Sequence, residues 1–219
     1  PIMKAYTFFT DSHEDILKKH FIPSFPFSDG IELNIKHFPQ ECPSGEFQKD
    51  GWEETMRRKV EYVIQSIDEN IERNDLFIHT DCDIIFLQPI QESMIKELGS
   101  FDVACLSDGA MLCAGFFIAR ATAQIRSLFL NILNQLKDGG PNDQILMNRL
   151  LPSSGVKAKS LSHEYHNVYH SIRKEWNGED FSLPQNIRVH HANFTRGVSA
   201  KMELLKLVKQ KHINAHPKA

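Results

Sequence analysis

The sequence predicts one α/β domain: a mostly parallel central sheet flanked by helices. Three observations predict it. Strand-like apolar runs alternate with stretches of helical period along the whole chain, the pattern of strand–helix–strand units. The 219 residues, 41% hydrophobic and 24% charged, suffice for one large core. No internal repeat, low-complexity tract or long linker divides the chain, so residues 1–219 read as a single domain.

The elements follow in order. "KAYTFF" (Lys4 to Phe9) is a first strand, and the polar "TDSHED" after it reads as a loop. "IELNIKHF" alternates apolar and polar residues and reads as a second strand. "QECPSGEFQKDG" is rich in turn formers. Met56, Val60, Val63, Ile64, Ile67 and Ile71 recur at steps of three and four, which predicts a helix from about Glu53 to Arg73. "DLFIHT" and "DIIFLQP" are strands around a pair of acids, and "FDVACLS" and "CAGFFIAR" are two more.

Thr122 is placed to cap a helix that carries Ile125, Leu128, Phe129, Ile132, Leu133 and Leu136 on one stripe. "GGP" breaks it, and a short helix follows with Ile145, Leu146 and Leu150 inward. "VKAKSLS" and "NIRVHHANF" are late strands. Ser199 is expected to cap a final helix with Met202, Leu205 and Val208 on one face.

Composition excludes several function classes. A formal net charge of -3 provides no basic field for nucleic acid or anionic lipid. No apolar run approaches the roughly 20 residues that span a bilayer, and the first residues lack a signal-peptide pattern. Cys42, Cys82, Cys105 and Cys113 form no CxxC pair and read as reduced, buried thiols, which suits a cytoplasmic setting. The "NFT" sequon at Asn193 to Thr195 reads as a chance match.

The chemistry concentrates at Asp81 and Asp83 in "DLFIHTDCDIIFLQP". Alternate residues of an extended chain share a face, so both carboxylates aim at one point. They repel there unless a cation lies between them, and hard oxygen ligands favour Mg²⁺ or Mn²⁺, ions that commonly bridge to phosphates. Turn acids are a plainer source of such a pair, but an exposed turn needs no apolar flanks on both sides.

In its order of motifs the chain resembles the nucleotide-sugar transferases of the GT-A fold. A helix with basic residues precedes "TDCD" and "IIFLQPI"; "FTDS" follows the first strand; "CAGFFIAR", "NDQILMN" and "VHHANFTRGVSAK" come later in the family's order. The likeness runs from about Lys4 to Leu207 and is strongest to the retaining, glycogenin-like and plant nucleotide-diphospho-sugar transferase branches. In size it is similar to compact glycosyltransferase domains of large algal viruses.

The resemblance implies a Rossmann-like GT-A domain with a DxD metal site. Residues 1–110 would form a nucleotide-binding half and 111–219 an acceptor-side half. It implies that Asp81, Asp83 and a late histidine hold the metal, and the motif register favours His191 over His190, which then points into the sheet packing. An imidazole ligand favours Mn²⁺ over Mg²⁺. Thr10 and Asp11 would lie at the nucleotide base, and Ala114 and Gly115 along the donor. Gly197 and Lys201 would face the diphosphate. Of Lys59 and Arg57, the family match favours Lys59. Asp143 and Gln144 would stand near the anomeric carbon, with Asp102 and Asp108 near sugar hydroxyls. Cys113 departs from the family's Asn, which points to an altered donor contact or a deoxy sugar.

His163, His166 and His170 stand at helical spacing, a pattern open to zinc. No second ligand cluster completes it; Tyr165, Tyr169 and Trp176 beside them suit an acceptor wall better than zinc does, with core packing the default for such aromatics. The function implied is metal-dependent transfer of a sugar from a nucleotide-diphosphate donor, a UDP-sugar, to a hydroxyl of a glycan or glycoprotein acceptor, with retention. The alternatives are a metal-dependent nucleotide-sugar phosphohydrolase or nucleotidyltransferase, and an inactive sugar-nucleotide-binding module.

Overall fold

The computed structural model describes residues 2–217. Its central sheet has six strands in the order β2-β1-β3-β6-β5-β7. These are β1 (Lys4–Phe9), β2 (Glu32–His37), β3 (Leu76–Thr80), β5 (Val103–Asp108), β6 (Met111–Arg120) and β7 (Ala158–Ser160). β1 runs parallel to β2 and β3, and β5 parallel to β7. β6 is antiparallel to both of its neighbours, β3 and β5. The reversal follows from the sequence: only Gly109 and Ala110 separate β5 from β6, a link too short for the crossover that parallel strands need.

Alternation along β3 sends Phe77 and His79 to one face of the sheet and Ile78 and Thr80 to the other. On the first face, Val60, Val63 and Ile67 of the Trp52–Asn70 helix join Ile125, Leu128 and Ile132 of the Ala123–Lys137 helix over Phe77 and Phe117. On the second, Leu17, Phe21, Met94 and Leu98 cover Ile78, Phe116 and Ile118. Each such side chain, fully buried, contributes roughly 1.5–3 kcal/mol. Thr122 caps its helix as expected, accepting a hydrogen bond from the Ile125 amide.

A second sheet of three strands, β4-β9-β8, comprises β4 (Ile84–Phe86), β8 (Tyr165–His166) and β9 (Val189–His191). β9 lies between the other two, antiparallel to β4 and parallel to β8. The Val198–Ala215 helix packs Leu204, Leu205 and Val208 against Ile85, Trp176 and Phe181 beside this sheet.

Several expectations need correction. Residues 11–24, read partly as a loop, are helical and include a π-turn at Leu17–Phe21, because Ile16, Leu17 and Phe21 give the segment a buried face. The Gln91–Leu98 helix was not anticipated; only Met94 and Leu98 bury within it, too few to set a period. The last helix starts from Gly197 rather than Ser199, which lies inside it. "HEYHNVYH" is no continuous helix: His166 is in β8, and a short helix begins only at Tyr169.

Candidate active site

Strand ends build the site. The carboxyl ends of β1, β3 and β5 and the amino end of β6 open onto one cleft of about 480 Å³. In α/β sheets ligands sit at this end of the strands.

Asp81 follows β3 and continues the face of Phe77 and His79. Its amide donates to the Gly115 carbonyl at 2.7 Å, which ties the turn to β6. The chain then bends at Cys82, and Asp83 leads into β4. The carboxylates thus converge through a bend, not along one extended strand. β9 pairs with β4 and brings His191 opposite Ile84. One donor atom each from Asp81, Asp83 and His191 lies within 4.8 Å of the others.

Asp83 is buried with two partners. His191 Nε2 is 2.9 Å from its Oδ1, and Lys201 Nζ donates to its Oδ2 at 2.6 Å. Burial opposes ionisation, but Lys201 and His191 outweigh it and hold the carboxyl well below the usual carboxylate range. Asp81 offers Oδ2 toward His191 Nε2 at 3.9 Å, while its Oδ1 faces Lys59 Nζ at 3.3 Å. Burial again opposes its charge, and Lys59 overcomes it, so the Asp81 carboxyl also lies below its ordinary value.

Two carboxylates and an imidazole form a donor set that fits a divalent cation. Gly115 leaves the room: a Cβ there would stand 2.4 Å from Asp81 Oδ2 and 2.7 Å from His191 Cε1. The other ring nitrogen of His191, Nδ1, lies 3.7 Å from Cys113 Sγ, and the Gly115 amide also reaches that sulfur, at 3.3 Å. Burial, reinforced by Asp108, pushes the Cys113 thiol up, so the sulfur stays protonated and neutral. Nε2 meanwhile faces Asp83 Oδ1 at hydrogen-bond distance; burial opposes charge on the ring, but Asp83 outweighs it and raises the His191 pKa. With a cation bound instead, Nε2 would face the ion and Nδ1–H the sulfur. His190 points the opposite way, its Nδ1 2.9 Å from that of His166.

A second group adjoins the first. Lys59, 4% exposed, bridges Asp81 to Asp143, whose Oδ2 lies 2.9 Å from Nζ. Burial opposes the Lys59 charge, but Asp143 and Asp81 reverse the effect and raise its pKa. Asp143 starts a helix capped by Asn142, whose side chain accepts from the Ile145 amide at 2.8 Å. Gln144 accepts from the Ala114 amide at 3.2 Å and donates to Asp108 Oδ2 at 2.9 Å. Asn193 and Asn167 both donate to Asp108 Oδ1 at 2.8 Å. Asp108 is thus a buried carboxylate held by three amides.

The remaining residues divide clearly. Thr10 lines the cleft, and so does His13, which sequence reading passed over although it lies in the helical turn Asp11–His13 that comes after β1. Asp11 is exposed outside the cleft lining and pairs with His37 at 2.6 Å. Arg57 lies outside the cleft lining and pairs with Glu54. Gly197 takes φ +85°, in the left-handed region that favours glycine, at the turn into the last helix. Ala114 reaches the site through its amide.

Burial and position decide the readings that the sequence left open. Asp102 is remote from the cleft lining and accepts from the Lys157 amide. Tyr165 and Trp176 are core residues, not an acceptor wall; Tyr165 is fully buried and reaches Ser93 with its hydroxyl. Tyr169 packs on Phe194, which lines the cleft. His163 and His170 are exposed while His166 is buried, so the three share no metal face. All four cysteines are buried and unpaired, and no helix among the described residues is long and apolar enough to cross a membrane.

Comparison with known proteins agrees with this layout. The fold is similar to a glycosyltransferase involved in the glycosylation of the major capsid of PBCV-1, with a TM-score of 0.65 and 11% identity over 94% of this chain and 100% of that one. It is also similar to the glycosyltransferase GlyE of Streptococcus pneumoniae TIGR4, with a TM-score of 0.57 and 12% identity over 97% of this chain and 63% of GlyE. A search of curated proteins finds no significant match. The family model for nucleotide-diphospho-sugar transferases matches residues 34–205, a span that holds Lys59, the Asp81–Asp83 pair, Asp143, His191 and Lys201. The chain therefore belongs to the nucleotide-diphospho-sugar transferase family and is a glycosyltransferase.

Proposed function

We propose that the protein transfers a sugar from a UDP-sugar to a hydroxyl of a glycan or glycoprotein acceptor, with retention and with Mn²⁺ held by Asp81, Asp83 and His191. The observation that carries this reading is the meeting of those three donor groups beside buried Lys59 and half-buried Lys201 at one strand-end cleft. When bound, the cation would neutralise charge developing on the departing diphosphate.

The chain's own residues do the rest. Lys201 stands at the start of a helix, where its ammonium and the free backbone amides favour an anion. Gly197 lets the loop backbone approach the diphosphate. Lys59 holds Asp81 and Asp143 at a fixed spacing, so the metal-side and sugar-side carboxylates move together. Asp143 and Gln144 face the anomeric carbon in this reading, and Asp108 with Asn193 accepts and donates hydrogen bonds to sugar hydroxyls. Thr10 and His13 flank the nucleotide, with Asp11 at the rim.

In the transfer, the anomeric C–O bond to the phosphate breaks and the acceptor oxygen bonds on the same face. The acceptor proton passes to the departing phosphate oxygen. Residues 1–110 act chiefly on the nucleotide and 111–219 chiefly on sugar and acceptor. The test is a panel of nucleotide sugars with Mn²⁺, read for nucleotide release, on wild type and D83N. Release by wild type and its loss in D83N are expected. Equal turnover in both, or Mn²⁺ and UDP binding untouched by D83N, would refute the reading.

A further inference from the structure

His79 is an anomaly in the core. Its side chain is fully buried, yet neither ring nitrogen has a hydrogen-bond partner among the described residues. An unmet buried donor or acceptor is destabilising, and a phenylalanine there would avoid that cost. The ring stacks on Phe117, with centroids 5.3 Å apart at 25°, and on Phe8, 6.2 Å apart at 27°. These contacts fix its plane. Strand alternation from His79 to Asp81 then aims one nitrogen at one oxygen: Nε2 lies 3.6 Å from Asp81 Oδ1.

That oxygen is itself buried and lacks a hydrogen bond, although Lys59 stands 3.3 Å away. A hydrogen bond between nitrogen and oxygen spans about 2.7–3.2 Å, so a small rotation of the carboxylate closes the gap. The two oxygens of Asp81 thus have separate surroundings. Oδ1 faces His79 and Lys59; Oδ2 faces His191.

We propose that His79 is a positioning residue for the cation site: its Nε2–H donates to Asp81 Oδ1 and keeps Oδ2 turned toward the ion. His79 acts through Asp81 and touches neither metal nor donor. The proposal rests on the metal reading above. Outer partners of metal ligands typically change metal affinity by about 10–100-fold when removed.

The experiment titrates Mn²⁺, alone and with UDP, by the electron paramagnetic resonance signal of the free ion. H79F keeps the stacking and removes the donor; it should weaken Mn²⁺ binding by about 10–100-fold with a thermal midpoint at or above that of wild type in the absence of metal. H79Q places an amide N–H near the Nε2 position, whereas the amide of H79N reaches only the Nδ1 position. H79Q should therefore bind Mn²⁺ more tightly than H79N, and this contrast decides the matter if H79F does not fold. Wild-type affinity in H79F, or equal weakening in H79Q and H79N, overturns the role of His79 alone. A wild-type protein that binds no Mn²⁺ under either condition overturns the cation site as well.

Discussion

Lys59 Nζ lies 2.9 Å from Asp143 Oδ2, and both side chains are buried. The same ammonium lies 3.3 Å from Asp81 Oδ1, so one cation offsets two carboxylates on different elements. Removing one member of a buried pair leaves an uncompensated charge, which costs far more than the intact pair contributes.

K59M should therefore lower stability by about 3–5 kcal/mol, measured by urea unfolding. K59M/D143N should recover part of that loss, because one stranded carboxylate becomes a neutral amide. A double variant no more stable than K59M would show that the two residues are energetically independent.

Lys201 makes a comparable pair with Asp83 but keeps 21% of its side chain exposed. K201M should cost less, about 2 kcal/mol, since water screens what remains. Mn²⁺ should then raise the thermal midpoint of K201M by more than that of wild type, because the ion restores positive charge beside Asp83. An equal shift in both proteins would break the link between the lysine and the cation.

Gly115 has no room for a methyl group beside Asp81 and His191. In G115A the three donor groups should lose their common point, with Mn²⁺ affinity and turnover both falling at least about tenfold. Calorimetric Mn²⁺ titration of G115A at wild-type strength would contradict this.

His166 sets a dependence on pH. Burial, reinforced by His170 and His163, lowers its pKa to about 4 from an ordinary 6.5. The unfolded chain therefore takes up its proton first as pH falls. Stability is unaffected by this group above 6.5, declines from there, and levels off below about 4. The full loss is about 3 kcal/mol, from 1.36 kcal/mol per pKa unit. Urea unfolding from pH 7.5 to 5 should show the slope in wild type and a shallower one in H166F; parallel slopes would remove His166 as its source.

Much of this was legible in the sequence because local pattern and burial agree. The stripes on the Trp52–Asn70 and Ala123–Lys137 helices face the core at the positions their spacing indicated. The acids at 81 and 83 and the histidine at 191 were recognisable by type and motif. Partnership across the chain was harder to read. Nothing local says that Lys59 is buried between Asp81 and Asp143, or that three amides hold Asp108. Those contacts join the Trp52–Asn70 and Asp143–Ser154 helices to the ends of β3 and β5 and to the segments after β8 and β9, and the pattern within one element carries no signature of which others it meets. Tyr165 and Trp176 stayed open for another reason: an aromatic in a polar stretch suits a sugar platform as well as a core by composition, and only burial decides for the core.

β9 joins β4 across 108 positions of chain, measured from Asp83 to His191. The six strands of the larger sheet are all complete by Ser160. A chain synthesised as far as Ser160 can therefore hold every strand of that sheet and still lack the donor group of His191. Cation retention, on the proposed reading, thus reports whether β9 is docked: a fragment clipped before Val189 would keep the pairing of the larger sheet yet lack one of the three donor groups.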